Sequence, residues 1–359
     1  MHFKSALIVC AVYFLTSAWS IELNSDQLEE LKKLYENCKK TTNGISKDEI
    51  AHVVKETFGI EWENLQTNFE YHSNLPDSVN LINLLWALAA TDNQTIDKVK
   101  VNALISNEVS IFLEEFVAEA ELHKQRGYIN LQQLSEVFEH WKMVNDALNA
   151  KRKVLKTENP DDYVMNAVEF LLLMIEIKPE GYGLNQAQIE MFGNLYEAHK
   201  TSDGIDPVES EKVFNELGIS INDELRQLFK STGPAEVLLI DLIVAAAERN
   251  KATEENEWKL LSPSEVVFYV NQFNEIDDDN DGLVSLDEYA DFMNMLEKVL
   301  ANNLPEAIEK MQDYLKSFYS IKTINVVVHM EYVLFMTKHI FEYYVTLEED
   351  DIVGDNSQA

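Results

Sequence analysis

The chain nearly repeats itself after about 160 residues, and this self-similarity constrains its fold more than any other feature. Leu34-Tyr35-Glu36 recurs as Leu195-Tyr196-Glu197. Asn43-Gly44-Ile45, followed by Glu49, recurs as Asp203-Gly204-Ile205, followed by Glu209. Val79 to Leu85 aligns with Val237 to Ile243, Gly127-Tyr128-Ile129 with Gly282-Leu283-Val284, and Glu169-Phe170 with Glu331-Tyr332. Matches that keep both order and spacing indicate a tandem duplication. Pro179, Gly181 and Gly183 break any helix where the halves meet.

Each half carries a finer rhythm. An apolar stretch at helical spacing runs into a short polar loop, one apolar residue follows, and a second helical stretch begins. Val266, Val267, Val270, Phe273 and Ile276 show the spacing before one such loop. Ser262-Pro263-Ser264-Glu265 predicts the start of that helix, with a capping serine, a first-turn proline and a reciprocal glutamate. Long alternating strands are absent from the sequence. The expected fold class is all-α, built from helix–loop–helix units in two duplicated halves of four units each.

One loop carries chemistry. Asp277-Asp278-Asp279-Asn280-Asp281-Gly282-Leu283-Val284-Ser285-Leu286-Asp287-Glu288 fits the pattern D-x-[DN]-x-[DN]-G-x5-E at each constrained position. Calcium is a hard cation that takes about six to eight oxygens. Asp277, Asp279 and Asp281 stand at loop positions 1, 3 and 5, and Gly282 permits the sharp turn at position 6. Leu283 offers a backbone carbonyl, Ser285 a direct or water-mediated oxygen, and Glu288 two oxygens that close the site. Phe273 and Ile276 before the loop, and Tyr289, Phe292 and Met293 after it, are expected to pack its two helices together.

The segment from about Ser262 to Val299 resembles an EF-hand of the calmodulin superfamily, and by the internal repeat most of the chain resembles eight such hands. The resemblance implies Ca2+ as the bound ion, held by Asp277, Asp279, Asp281, Leu283, Ser285 and Glu288. The other loops depart from the pattern. The first keeps Glu49 but has Cys38, Lys40 and Thr42 where acids belong, and the third ends at Gln133 with Lys124 and Arg126 inside it. The second and sixth align Asn83 and Asp241 with position 12 and contain Pro76 and Pro234. The fifth, His199 to Glu209, is one residue short, and the eighth aligns Glu331 with position 12 behind Ser320, Lys322 and Ile324. The fourth is the best of these, with Glu158, Asp162 and Glu169 at positions 1, 5 and 12. Degenerate hands of this kind are expected to survive as packing units.

Charge and the amino terminus set the context. Asp and Glu number 63 against 29 Lys and Arg, a net charge of −34 that repels nucleic acid and anionic surfaces and attracts cations. Lys4, the apolar run Ala6 to Leu15 and the small residues of Ala18-Trp19-Ser20 predict a signal peptide over 1–20, too short to span a membrane. The expected organisation is then a first half at 21–180 with four degenerate hands, a second half at 181–346 with the intact hand, and an acidic disordered tail at 347–359. Membrane insertion is not expected. Beyond the leader only Cys38 remains, which is either buried and inert or paired between chains. Asn93-Gln94-Thr95 is a glycosylation sequon.

Motifs for catalysis are missing: the sequence has no phosphate loop, no G-x-S-x-G, no H-E-x-x-H and no C-x-x-C. The leading expectation is a secreted, non-enzymatic calcium-binding protein whose helical scaffold contacts an unidentified protein partner. The alternative is an acidic calcium buffer of the secretory lumen, similar to reticulocalbins. An enzyme with an unrecognised site ranks third.

Overall fold

The computed structural model describes residues 23–39, 45–66, 69, 76–90, 103–122, 127–140, 164–179, 181–201, 204–231, 233–251, 260–290, 292 and 323–334. The leader, Asn93, Glu158, Asp162 and the tail at 347–359 lie outside these residues, as does the side chain of Cys38. The protein is mostly helical with little sheet, as the sequence predicts. It divides into two compact units between Lys178 and Pro179.

Helix starts organise both units. Ser46 and Glu49, Asn166 and Glu169, Asn185 and Gln188, and Ser262 and Glu265 each form a reciprocal capping box. Asn24 with Gln27, Asn130 with Gln133, and Ser285 with Glu288 exchange the same pair of bonds. Each box satisfies two of the amide donors that a helix start leaves without partners. A buried apolar residue stands directly before the cap: Leu23, Ile45, Ile129, Met165, Leu184, Leu261 and Val284 are all under 10% exposed. The repeated signal is therefore apolar residue, cap, two spacers, then Glu or Gln.

In the first unit, β1 (Leu23–Asn24) precedes α1 (Ser25–Lys39), followed by α2 (Lys47–Phe58), α3 (Trp62–Leu65) and α4 (Asp77–Ala90). Then come β2 (Ala103–Leu104), α5 (Ser106–Leu122), β3 (Tyr128–Asn130), α6 (Leu131–His140), β4 (Val164–Asn166) and α7 (Ala167–Ile177). The strands are only two or three residues long and join loops in antiparallel pairs. Leu23 faces Leu104, and Ile129 faces Met165. Phe116 of α5 and Phe170 of α7 meet in the core with ring centroids 5.4 Å apart.

The second unit has a similar element order, with one further strand pair. It runs through β5 (Leu184–Asn185), α8 (Gln186–His199), β6 (Lys200–Thr201), β7 (Gly204–Ile205), α9 (Pro207–Glu216), α10 (Asp223–Leu228) and α11 (Ala235–Arg249). It continues with β8 (Leu260–Leu261), α12 (Pro263–Ile276), β9 (Val284–Ser285), a helix from 286, β10 (Thr323–Ile324) and a helix at 326–334. Leu184 faces Leu261 and Val284 faces Ile324, matching the two pairs of the first unit. The Leu-Tyr-Glu repeat acquires a role here. Tyr35 of α1 meets the Tyr128 hydroxyl, and Tyr196 of α8 donates to the Ala235 carbonyl at the start of α11.

Three loop alignments read from the sequence need correction. Asn83 and Asp241 lie in the second turns of α4 and α11, and Glu331 lies in the second turn of the helix at 326–334. Position 12 of the intact loop, Glu288, is the third residue of its helix. By that register the matching residues are Val79, Val237 and Val328, none with a carboxylate. A slip of three or four residues keeps the same helix face, so the apolar pattern tolerates it.

Candidate metal centre

The last turn of α12 delivers the chain to the loop. Phe273 is fully buried, and its carbonyl accepts the Asp277 N–H at 3.0 Å, after which Asp277 leaves helical geometry. The loop then curls around the Asp277 carboxylate. Oδ2 of Asp277 accepts from the Gly282 N–H at 2.9 Å, and Oδ1 accepts from the Asp281 N–H at 3.3 Å. Asp279 Oδ1 also accepts from the Asp281 N–H, and Asp281 Oδ1 accepts from the Leu283 N–H at 2.8 Å.

Two residues with positive φ make this curl. Asn280 has φ 57°, in the left-handed region that asparagine tolerates, and Gly282 has φ 84°. Gly282 also sits against the start of α11, where an added Cβ would lie 2.6 Å from the Glu236 carbonyl carbon. Gly282→Ala therefore combines left-handed strain with a clash against backbone. It should destabilise the second unit by roughly 2 kcal/mol or more, read as a lowered thermal midpoint in the presence of chelator.

The result is a cluster of acids. One carboxylate oxygen from each of Asp277, Asp279 and Asp281 falls in a group spanning no more than 4.8 Å. Asp277 is 2% exposed, whereas the other two face solvent. Burial pushes the Asp277 carboxyl above its usual range, the Gly282 and Asp281 amides pull it back, and the Asp281 charge adds to the rise. Among the described residues no Lys, Arg or His forms an ion pair with Asp277, Asp279, Asp281 or Glu288. The charge has no protein counter-ion there.

Glu288 lies outside that 4.8 Å group. Its Oε2 accepts from the Ser285 N–H at 2.7 Å, and the Ser285 hydroxyl accepts from the Glu288 N–H at 3.3 Å. The Ser285 hydroxyl and amide hold the Glu288 carboxyl below its usual range, with a smaller contribution from the Asp278 amide. Leu283 is anchored through its N–H to Asp281, and the fully buried Val284 ties the loop to Ile324.

Two of the other loops differ from this one in one physical respect. Glu169 closes its capping box but also lies 3.7 Å from Lys32 Nζ of α1. Glu209 is paired with His199 Nδ1 and with Lys212 Nζ. In both loops a protein cation stands beside the acid aligned with position 12. The sequence contains these cations, but Lys32 is so far along the chain from Glu169 that no local motif could reveal it.

The donors of the 277–288 loop are all oxygens, which suits a hard divalent cation and not a thiophilic metal. A buried carboxylate among further acids, with loop amides already folded onto it, fits such an ion. Among the described residues no helix is long and apolar enough to cross a membrane. Compared with family models, with curated proteins and with solved structures, the chain matches none of them.

Proposed function

We propose that this chain is a secreted calcium-binding protein of EF-hand type, with one Ca2+ held in the 277–288 loop and the remaining hands forming a scaffold for a protein partner. The observation that carries the reading is the convergence of Asp277, Asp279 and Asp281 within 4.8 Å around a buried carboxylate with no protein counter-ion among the described residues. Those three acids and Glu288 would hold the ion, with oxygen from Leu283 and Ser285 completing its shell. Bound calcium would supply the positive charge that the loop lacks and fix the loop against its paired strand. The Lys4 to Ser20 pattern supports passage into the secretory pathway.

Titration calorimetry of the full chain with Ca2+ tests the proposal. One ion per chain is expected. Absence of binding at neutral pH defeats it. The net charge of −34 favours a second reading, an acidic luminal buffer. Many weak ions of comparable affinity would favour that reading over a single structural ion.

A further inference from the structure

We propose that His329, sealed among aromatic rings between the 277–288 hand and the hand paired with it, is an acid-sensitive latch: proton uptake expels the imidazole, parts the two hands and releases the cation. The last clause rests on the calcium reading above, and the latch itself does not.

His329 is fully buried in the helix at 326–334, directly after the strand that pairs with the loop. Its ring centroid lies 5.8 Å from Phe273 and 6.5 Å from Tyr269, both on α12 before the loop. It lies 5.9 Å from Tyr289 and 6.1 Å from Phe292, both after the loop. The ring therefore touches the segments on both sides of the loop from the partner hand. Nδ1 is 3.2 Å from the Tyr289 hydroxyl, and Nε2 is buried without a hydrogen-bond partner.

That arrangement suits a neutral ring. An imidazolium needs acceptors at both nitrogens and an anion nearby. The titratable groups against it among the described residues are the phenols of Tyr269 and Tyr289, with Tyr332 packed on Tyr289, and burial raises the Tyr269 phenol well above its usual value. Glu265, further back on α12, acts on Tyr269 and is bound into its own capping box. Glu331, on the histidine's own helix, feels Glu190 of α8. None of these carboxylates enters the balance at His329, where burial pushes the ring down to about 3 against an opposing effect of the Tyr269 backbone. Attraction between the cation and the aromatic faces is smaller than the hydration an imidazolium would lose.

The sign follows from linkage. The unfolded histidine binds its proton near its ordinary value of about 6.5, and the buried ring does so only near 3. Between those values the open state holds more protons, so closure is favoured above pH 6.5 and lost as the pH falls. The open-to-closed ratio rises by up to about tenfold per pH unit, or about 100-fold at pH 4.5.

The test uses the full chain, wild type and H329F, between pH 7.5 and 4. In chelator, the His329 ring resonances should stay neutral until the tyrosine near-ultraviolet signal collapses with them. H329F keeps the box filled and should move that collapse about one pH unit lower. The calcium Kd should rise more steeply in wild type than in H329F between pH 7.5 and 5, by up to about 30-fold, since both share the same loop carboxylates. A ring that titrates near 6.5 while the tyrosine signal persists overturns the latch, as does collapse of H329F at the wild-type pH. If H329F does not fold, the wild-type ring titration decides alone. A loop that binds no calcium at pH 7.5 overturns the release clause and the functional reading together, and the chelated arm still decides the latch.

Discussion

Glu288→Gln should weaken calcium binding by at least about 100-fold while leaving every helix in place. The substitution removes one unit of charge from the acid that closes the loop. Even at the dielectric constant of water, a divalent ion about 2.4 Å from a carboxylate charge gains roughly 3 kcal/mol, and the partly buried loop screens less than water. The structural role of Glu288 survives, because glutamine performs it elsewhere in this chain. Gln27, Gln133 and Gln188 each accept from the amide of their cap residue, as Glu288 does from Ser285. The variant thus separates the two duties of the side chain. Calorimetry should show the loss in affinity, and far-ultraviolet circular dichroism should be unchanged. Equal binding by the variant would remove the loop from consideration as the site.

The acidic cluster was legible because its residues are close in sequence. Twelve consecutive residues hold the acids, the glycine and the closing glutamate, and the structure brings Asp277, Asp279 and Asp281 together as their spacing implies. The mostly helical character was legible for a similar reason, since apolar residues recur at helical spacing along the chain, and Leu-Tyr-Glu and Gly-x-apolar recur in fixed order. Their purpose was not, because Tyr196 meets Ala235 and Tyr35 meets Tyr128 only after distant segments have packed.

Other features lay beyond sequence logic. The pairs Leu23 with Leu104 and Leu184 with Leu261 come from strands of two residues, too short to show alternation. Val328 displaces Glu331 from position 12 because a helix presents residues three or four apart on one face. His329 reads in the sequence as one scattered histidine among several, and only the rings of Tyr269, Phe273, Tyr289 and Phe292 around it mark it out. Two of the other loops differ in a way visible only in three dimensions: Lys32 and Lys212 place protein cations beside Glu169 and Glu209, where the 277–288 loop has none among the described residues.

Lys178→Met should cost the first unit about 3–5 kcal/mol, the largest stability loss expected of any single change considered. Lys178 and Glu108 form an ion pair at 2.5 Å with side chains 1% and 0% exposed. The lysine also donates to the Ala103 carbonyl in β2, at 3.1 Å. It therefore ties the residue just after α7 to the start of α5, where the first unit ends against its own strand pair. Glu108 Oε2 accepts from the Ile105 N–H at 3.2 Å, and Oε1 is buried without a partner. Removing the lysine strands a buried anion with one amide to hold it, and that penalty exceeds any gain from the added apolar surface. Replacing both residues, as Glu108→Leu with Lys178→Met, removes the stranded charge and should recover most of the loss. For a unit of this size the single variant should melt roughly 6–20 °C lower. Calorimetric unfolding of the single and double variants checks the ordering. The calcium isotherm should remain that of the wild type in both, because the pair lies in the unit that does not contain the loop.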